Sequence, residues 1–380
     1  MDYYLQRRNH LFRALKKDGH EALLVTNPTN VRYLSGFTGD SSYLLLTTKN
    51  IILISDSRFE LQIAEECKDV EVVIRPHTKK LLDAAAEVVV KSGLKSVGVE
   101  AAHITVMVLE ALSAAVPKVT FAQTKNTVEA LRNVKDSSEV EAIRQAVRVA
   151  ERAFHMFVST LRETDTEKEM VDSMEAFVRR AGGLATSFPP IVAVGERGAL
   201  PHALPTTRPF QEGTKLLVDW GADLGYKSDL TRTLKSPFST IPTRRNKLER
   251  TGYAFEELYA IVQKAQDAAV KMLRHGVAAK DVDAAARKVF ADAKLRDAPQ
   301  LKLADHFTHG LGHGIGLEIH EGPSIRANSE DILEAGMVVT IEPGIYIPEW
   351  GGIRLEDDFL ILKDGANRLT TLPHDYGAIH

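Results

Sequence analysis

The chain has 380 residues, 44% of them hydrophobic, with 48 basic against 51 acidic side chains and a formal charge of -3. That length supports two ordinary domains with their own cores, and the interspersed charges form no basic stripe, which argues against nucleic acid and against an anionic membrane surface as partners. Cys67, the single cysteine, excludes an internal disulfide framework and a thiolate metal cluster and fits a reducing compartment; its expected role is that of a small buried hydrophobe.

The opening MDYYLQRRNHLFRALKKDG alternates charged and apolar residues at helical spacing and lacks the apolar segment of a signal peptide. An amphipathic helix and a cytoplasmic location are expected. No apolar run approaches the roughly 20 residues that span a bilayer. ALLVT at 22–26 is strand-sized, NPTN reads as a turn, and SSYLLLTT and IILIS flank Lys49 and Asn50 as a hairpin. A helical SRFELQIAEE, the strand VEVVIR, a helix near 79–92, the strand VGVE, a helix near 104–115 and the strand VTFAQT complete an α/β domain expected over 1–128. The second domain, 129–380, opens on a long helix, with Asp136, Ser137 and Ser138 as candidate caps and Glu139 and Glu141 in its first turn. Its pattern is helical to about 181, strand-like at IVAV and KLLVDWGA, and helical again over roughly 243–293. It ends in the strands GMVVTIEPGIYI and GGIRLEDDFLILKDG, an α+β arrangement.

Polar residues set into apolar surroundings concentrate in this second domain. In DWGADLGYKSDLTRT, Asp219 ends an apolar strand and Asp229 follows in the next; a hairpin across Gly225 would bring the two carboxylates onto one face, where close anions need a proton or a cation between them. Ordinary turn acids are the competing reading. HGLGHGIGLEIHEGP interleaves His309, His313 and His320 with glycines that permit close backbone approach, as a ligand loop requires. Its likeness to a dinucleotide-binding glycine motif is superficial, because no strand leads in and no βαβ unit follows. Glu342 in VVTIEPGIY and Glu356 in GIRLEDDFL are carboxylates in or at the end of apolar strands, costly to bury without a partner, although Glu356 could also be a surface acid beside Asp357 and Asp358. Four carboxylates and one imidazole form a hard ligand set whose charge balances two divalent ions, suited to manganese, cobalt or iron better than to structural zinc.

These motifs resemble the pita-bread metallopeptidases, the family of methionine aminopeptidase, aminopeptidase P and prolidase. The N-terminal part is similar to their creatinase-like domain in NPTNVRYLSGFTG and SDSRFE, and the C-terminal part to their catalytic domain in PHALPT, DWGADLGYKSDLTRT, HGLGHGIGLEIHE, TIEPGIY and GIRLEDD. The resemblance implies an α/β creatinase-like N-terminal domain plus an α+β pita-bread catalytic C-terminal domain. It also implies two divalent metal ions, manganese first, with cobalt, zinc or iron as alternatives. Position by position, it makes Asp219 a ligand of one metal, Asp229 and Glu356 bridging ligands, and His313 and Glu342 ligands of the other. It assigns His202 to the substrate, His309 and His320 to the scissile peptide, and Glu342 to proton transfer.

The activity implied is hydrolysis of the peptide bond preceding proline, in Xaa-Pro dipeptides first. An Xaa-Pro aminopeptidase acting on longer peptides is the alternative, and a non-enzymatic peptide-binding module is the reading from another class. A homodimer is implied as well. The sequence departs from the pattern in two places. Asp219 and Asp229 stand one residue closer together than the family usually places them, and the arginine that many prolidases carry soon after the histidine equivalent to His320 is displaced to Arg326. Two roles stay open for Arg326: a shifted anchor for the substrate carboxylate, or a solvated rim residue. Arg354 joins the substrate-site residues as the side chain that orients a ligand carboxylate. Phe188 and Ile191 are candidates for an apolar wall against the proline ring, with core packing as the competing role.

Overall fold

The computed structural model describes residues 3–239 and 254–377, and contacts divide the chain into two compact units, Met1–Arg132 and Asn133–His380. The expected boundary at 128/129 falls inside a helix, Thr127–Asn133.

In the first unit the order is α1 (Tyr3–Lys17), β1 (Ala22–Val25), α2 (Pro28–Ser35), β2 (Tyr43–Thr47), β3 (Ile51–Asp56), α3 (Glu60–Glu66), β4 (Glu71–Arg75), α4 (Leu81–Lys91), β5 (Ser96–Glu100), α5 (Val106–Ala115), β6 (Thr120–Thr124) and α6 (Thr127–Asn133). One sheet, β4-β3-β2-β1-β5-β6, holds them together. The β1–β2 and β2–β3 pairs are antiparallel, and the outer pairs are parallel where helices make the crossovers. Leu24, Leu45, Ile54, Val97 and Val99 pack from the sheet against Ala85, Val89 and Leu112 of α4 and α5. The NPTN segment starts a helix rather than a turn. The Asn27 side chain accepts from Thr29 N, Pro28 takes the first helical position, Gly36 at φ +84° closes α2, and Val31 and Leu34 then bury completely. Cys67 is buried, and burial pushes its thiol up to about 11, away from thiolate chemistry.

The second unit opens on α7 (Ser137–Thr160), where Asp136 and Glu139 make a reciprocal capping box, followed by α8 (Glu167–Arg180), which Thr166 and Glu169 cap in the same way. Then come β7 (Ala185–Thr186), β8 (Ile191–Val194), β9 (Lys215–Trp220), β10 (Ala222–Asp223), β11 (Leu230–Lys235), α9 (Phe255–Val270), α10 (Ala279–Asp292), β12 (Gly312–Gly314), β13 (Glu321–Ile325), β14 (Val338–Ile341), β15 (Gly344–Ile347), β16 (Gly351–Arg354), β17 (Asp357–Ile361) and β18 (Ala366–Arg368). Of the helical stretch expected over 243–293, residues 243–253 lie outside the described residues, and α9 and α10 occupy the rest.

Among the described residues every strand pairing in this unit is antiparallel. The sheet β8-β9-β11 packs Val192, Leu216, Val218 and Trp220 against α7 and α8, and Phe154 of α7 stacks on the Trp220 ring. The sheet β13-β12-β14-β17-β18 shares its core with α9 and α10. A helix pair followed by antiparallel strands thus occurs twice in the chain order. An isolated bridge between Thr231 and Glu356 joins the two sets of strands, and the candidate residues collect beside it.

Candidate metal centre

Residues on β9 alternate between two surroundings, as the pleat requires. Leu216, Val218 and Trp220 enter the helix-covered core, while Asp219 lies on the other side and reaches a cavity of about 740 Å³. The β9–β11 hairpin pairs Asp219 with Thr231 and leaves Asp229 immediately before β11. The turn uses Gly225 at φ +94°, and the strands close so tightly at Gly221 that a Cβ there would lie 1.8 Å from Ser228 O. Both carboxylates therefore point into one place.

His313 sits in the middle of β12, its backbone N–H bonded to Thr340 Oγ1 at 3.1 Å. Its Nδ1 lies 3.1 Å from Gly314 O, and because a carbonyl can only accept, Nδ1 carries the proton. The Nε2 lone pair is left facing Asp229 Oδ2 and Glu342 Oε1, each 3.7 Å away. Glu342 follows the end of β14 and is held by its N–H donating to Leu311 O at 2.8 Å. Glu356 lies between β16 and β17, where Thr231 Oγ1 donates to its Oε2 at 2.7 Å. One ligand atom from each of Asp229, His313 and Glu356 falls within 4.8 Å of the other two. The neighbouring acids Asp357 and Asp358 are not surface groups: both are fully buried. Asp357 is gripped by Arg232 at 2.8 Å, Thr370 at 2.6 Å and His374 at 2.7 Å, and Asp358 accepts from Asp229 N at 3.2 Å.

Burial first, and like charge second, holds the Asp229 and Glu342 carboxyls well above their usual range, and Glu356 repels both. Burial raises Glu356 to about 8 and also raises Asp219, against the pull of Arg354. Burial lowers His309 and His313 to about 4, so both rings are neutral at pH 7. Asp219 Oδ1 and Asp229 Oδ1 are buried without a hydrogen-bond partner among the described residues. Orphaned anionic oxygens beside an unprotonated imidazole nitrogen are what a divalent cation completes, and the donor set fits one.

Arg354 donates through Nη2 to Asp219 Oδ2 at 2.5 Å, through Nε to Thr231 Oγ1 at 3.0 Å and through Nη1 to Tyr346 Oη at 2.8 Å. The Tyr346 hydroxyl is 2.7 Å from His309 Nε2, while His309 Nδ1 donates to Gly310 O at 2.7 Å. Both ring nitrogens of His309 are thereby engaged by the protein. Tyr346 and Thr231 are the site residues that sequence reading missed; each lies within a motif that drew notice, four residues after Glu342 and two after Asp229, but a phenol or hydroxyl carries no charge pattern to single it out.

The same cavity brings together all the remaining candidates, Phe188, His202, His320 and Arg326. Phe188 is half-buried beside Ile191 on an apolar wall, whereas His202, His320 and Arg326 are exposed. The His320 ring packs edge-on against His313 with centroids 4.5 Å apart. Neither the His320 and His202 rings nor the Arg326 guanidinium has a hydrogen-bond partner among the described residues.

Comparison with known proteins agrees with this geometry. Residues 141–363 match metallopeptidase family M24 and residues 7–134 match the creatinase/prolidase N-terminal domain. A Bacillus subtilis protein named uncharacterized peptidase YqhT is 33% identical, the alignment covering 98% of this chain and 98% of that one. Among solved structures, an Xaa-Pro dipeptidase from Bacillus anthracis superposes with a TM-score of 0.88 at 32% identity, covering 98% of this chain and 99% of that one. An X-Pro aminopeptidase from Thermotoga maritima does so with a TM-score of 0.84 at 31% identity, covering 96% of this chain and 99% of that one. With a donor set that fits a divalent metal and matches that together cover most of its length, this chain belongs to metallopeptidase family M24 and carries a creatinase/prolidase N-terminal domain.

Proposed function

We propose that this enzyme hydrolyses the peptide bond preceding proline, with Xaa-Pro dipeptides as its substrates. The observation that carries the reading is the convergence of Asp219, Asp229, His313, Glu342 and Glu356 on one cavity. In this reading these five would hold two divalent ions, with manganese the first candidate for a carboxylate-rich set. When bound, the metals supply polarisation of the scissile carbonyl and activation of water.

The chain supplies the remainder. Glu342, held at its backbone by Leu311 and with its carboxyl facing the cavity, takes the proton from the attacking water and passes it to the departing proline nitrogen. His320, with its ring unpartnered on the wall, donates to the developing oxyanion. His309, fixed through Gly310 and Tyr346, gives that wall its shape and leaves the donor role to His320. His202 contacts the peptide, Arg354 orients the Asp219 carboxylate, and the apolar wall at Phe188 and Ile191 receives the proline ring, whose tertiary amide offers no N–H to a peptide-binding strand. Arg326, exposed on the cavity rim and unpaired among the described residues, takes the free carboxylate of the dipeptide.

An Xaa-Pro aminopeptidase is the second reading, favoured by the Thermotoga maritima structure, whose identity to this chain is within a point of that of the Bacillus anthracis dipeptidase. Rates on Ala-Pro and Ala-Pro-Ala separate the two. We expect the dipeptide to be cleaved at least about 10-fold faster in kcat/KM, since only it places its carboxylate on Arg326; faster cleavage of the tripeptide selects the aminopeptidase. A homodimer and a cytoplasmic location complete the reading. Light scattering tests the first, and the single buried cysteine supports the second. No helix among the described residues is long and apolar enough to cross a membrane.

A further inference from the structure

The connection from β8 to β9 leaves the sheet at Gly195 and carries His202, Ala203 and Leu204 onto the cavity wall before it returns. Such an excursion, with only short 3₁₀ turns of its own, has no intrinsic reason to hold one position. Both of its arms end on a single carboxylate. Glu167, the first residue of α8, is fully buried. It accepts from Val194 N at 2.9 Å on the outgoing arm, and from Thr206 N at 2.9 Å and Thr206 Oγ1 at 2.6 Å on the returning arm. Arg197 Nε lies 2.9 Å from each Glu167 oxygen, and Arg197 Nη2 reaches across to Leu204 O at 2.6 Å. The start of the same helix adds two backbone bonds, Glu167 N to Arg208 O and Lys168 N to Thr206 O, both 3.0 Å.

A buried carboxylate persists only when donors satisfy its oxygens, and here the excursion supplies them. The dependence is mutual: the loop fixes the carboxylate, and the carboxylate fixes the loop. At its tip the ties are to backbone carbonyls, Arg197 Nη2 to Leu204 O and Arg354 Nη1 to Pro201 O at 3.4 Å, which leaves the His202 and Leu204 side chains to the cavity. Leu204 is 81% exposed, and His202 is exposed beside it, both on the cavity wall that faces Asp219 and Glu356. We infer that Glu167 is a positioning residue for substrate recognition: by clamping Val194, Arg197 and Thr206 it sets where His202 and Leu204 meet the peptide. This rests on the reading above that His202 contacts substrate.

Thr206→Val removes one donor from the clamp and leaves the rest, so it carries the test even where Glu167→Gln, which turns an amide N–H₂ toward existing donors, fails to fold. With manganese and Ala-Pro, Thr206→Val is expected to raise KM about 10-fold with kcat within about 2-fold, and Thr206→Ser to restore KM. Manganese affinity by titration calorimetry is expected to be unchanged, because no clamp atom touches a proposed metal ligand. An unchanged KM in folded Thr206→Val overturns the clamp, as does a loss of kcat that tracks a loss of manganese affinity. His202→Gln distinguishes the layers. If it raises KM while Thr206→Val does not, only the clamp fails; if it leaves KM alone while Thr206→Val raises it, the clamp stands through Leu204 and the His202 assignment fails.

Discussion

Asp229 meets four negative neighbours: Glu356, Asp219, Asp358 and Glu342 each push its carboxyl further above the range already raised by burial. Removing its charge alone is therefore informative. Asp229→Asn is expected to lower metal stoichiometry, read by atomic absorption, and to cut kcat on the order of 100- to 1,000-fold while the fold persists, since one repulsive centre has been relieved. The same electrostatics give a pH signature in metal-free protein. Glu356, raised from 4.5 to about 8, contributes stability that is full below pH 4.5 and is lost as pH rises through about 8. The histidines run the other way: His309 and His313, lowered from 6.5 to about 4, contribute stability that is present above pH 6.5 and lost as pH falls toward 4. Between pH 6.5 and 8 the carboxylates dominate. The Tm of metal-stripped protein is expected to fall by several degrees across that window, and saturating manganese to abolish the fall; a Tm flat across it would contradict the assignment of Glu356.

At the scale of elements, ligand geometry depends on backbones that come unusually close. Gly312 opens β12 directly before His313, and a Cβ there would stand 2.0 Å from Thr340 O on β14, the strand that leads into Glu342. Gly312→Ala must part β12 from β14 and so separate His313 Nε2 from the Glu342 carboxylate. We expect at least about a 10-fold loss in manganese affinity by calorimetry, with a Tm lowered by several degrees. Native affinity in that variant would mean that the two strands can shift together without cost. Much at this scale was legible in the sequence: the Asp136 cap of α7, the β2–β3 hairpin and the turn at Gly225 follow from local residue chemistry. The start of α2 was not, because Asn-Pro serves equally as a turn or as a helix start, and only burial of Val31 and Leu34 selects the helix.

At the scale of the molecule, the two units have separate cores, and every residue proposed to bind metal belongs to Asn133–His380. Metal stabilises only what binds it, by about 2.7 kcal/mol at a free concentration 100 times Kd. In calorimetry, manganese added to stripped protein is expected to raise the transition of the second unit and leave that of Met1–Arg132 in place, with hydrogen exchange assigning each; a common shift would show that the units unfold together. The sequence by itself determined the two-unit plan, the antiparallel character of the second unit and the candidates that line the cavity, because periodicity, caps and charges set in apolar strands are local properties. Tertiary structure alone decided that His309 is engaged on both nitrogens, that Tyr346 and Thr231 link it through Arg354 to Asp219 and Glu356, and that Glu167 holds the loop bearing His202. Hydrogen-bond partners separated by many residues are chosen by how strands register and helices pack, and a linear pattern of residue types carries no record of that choice.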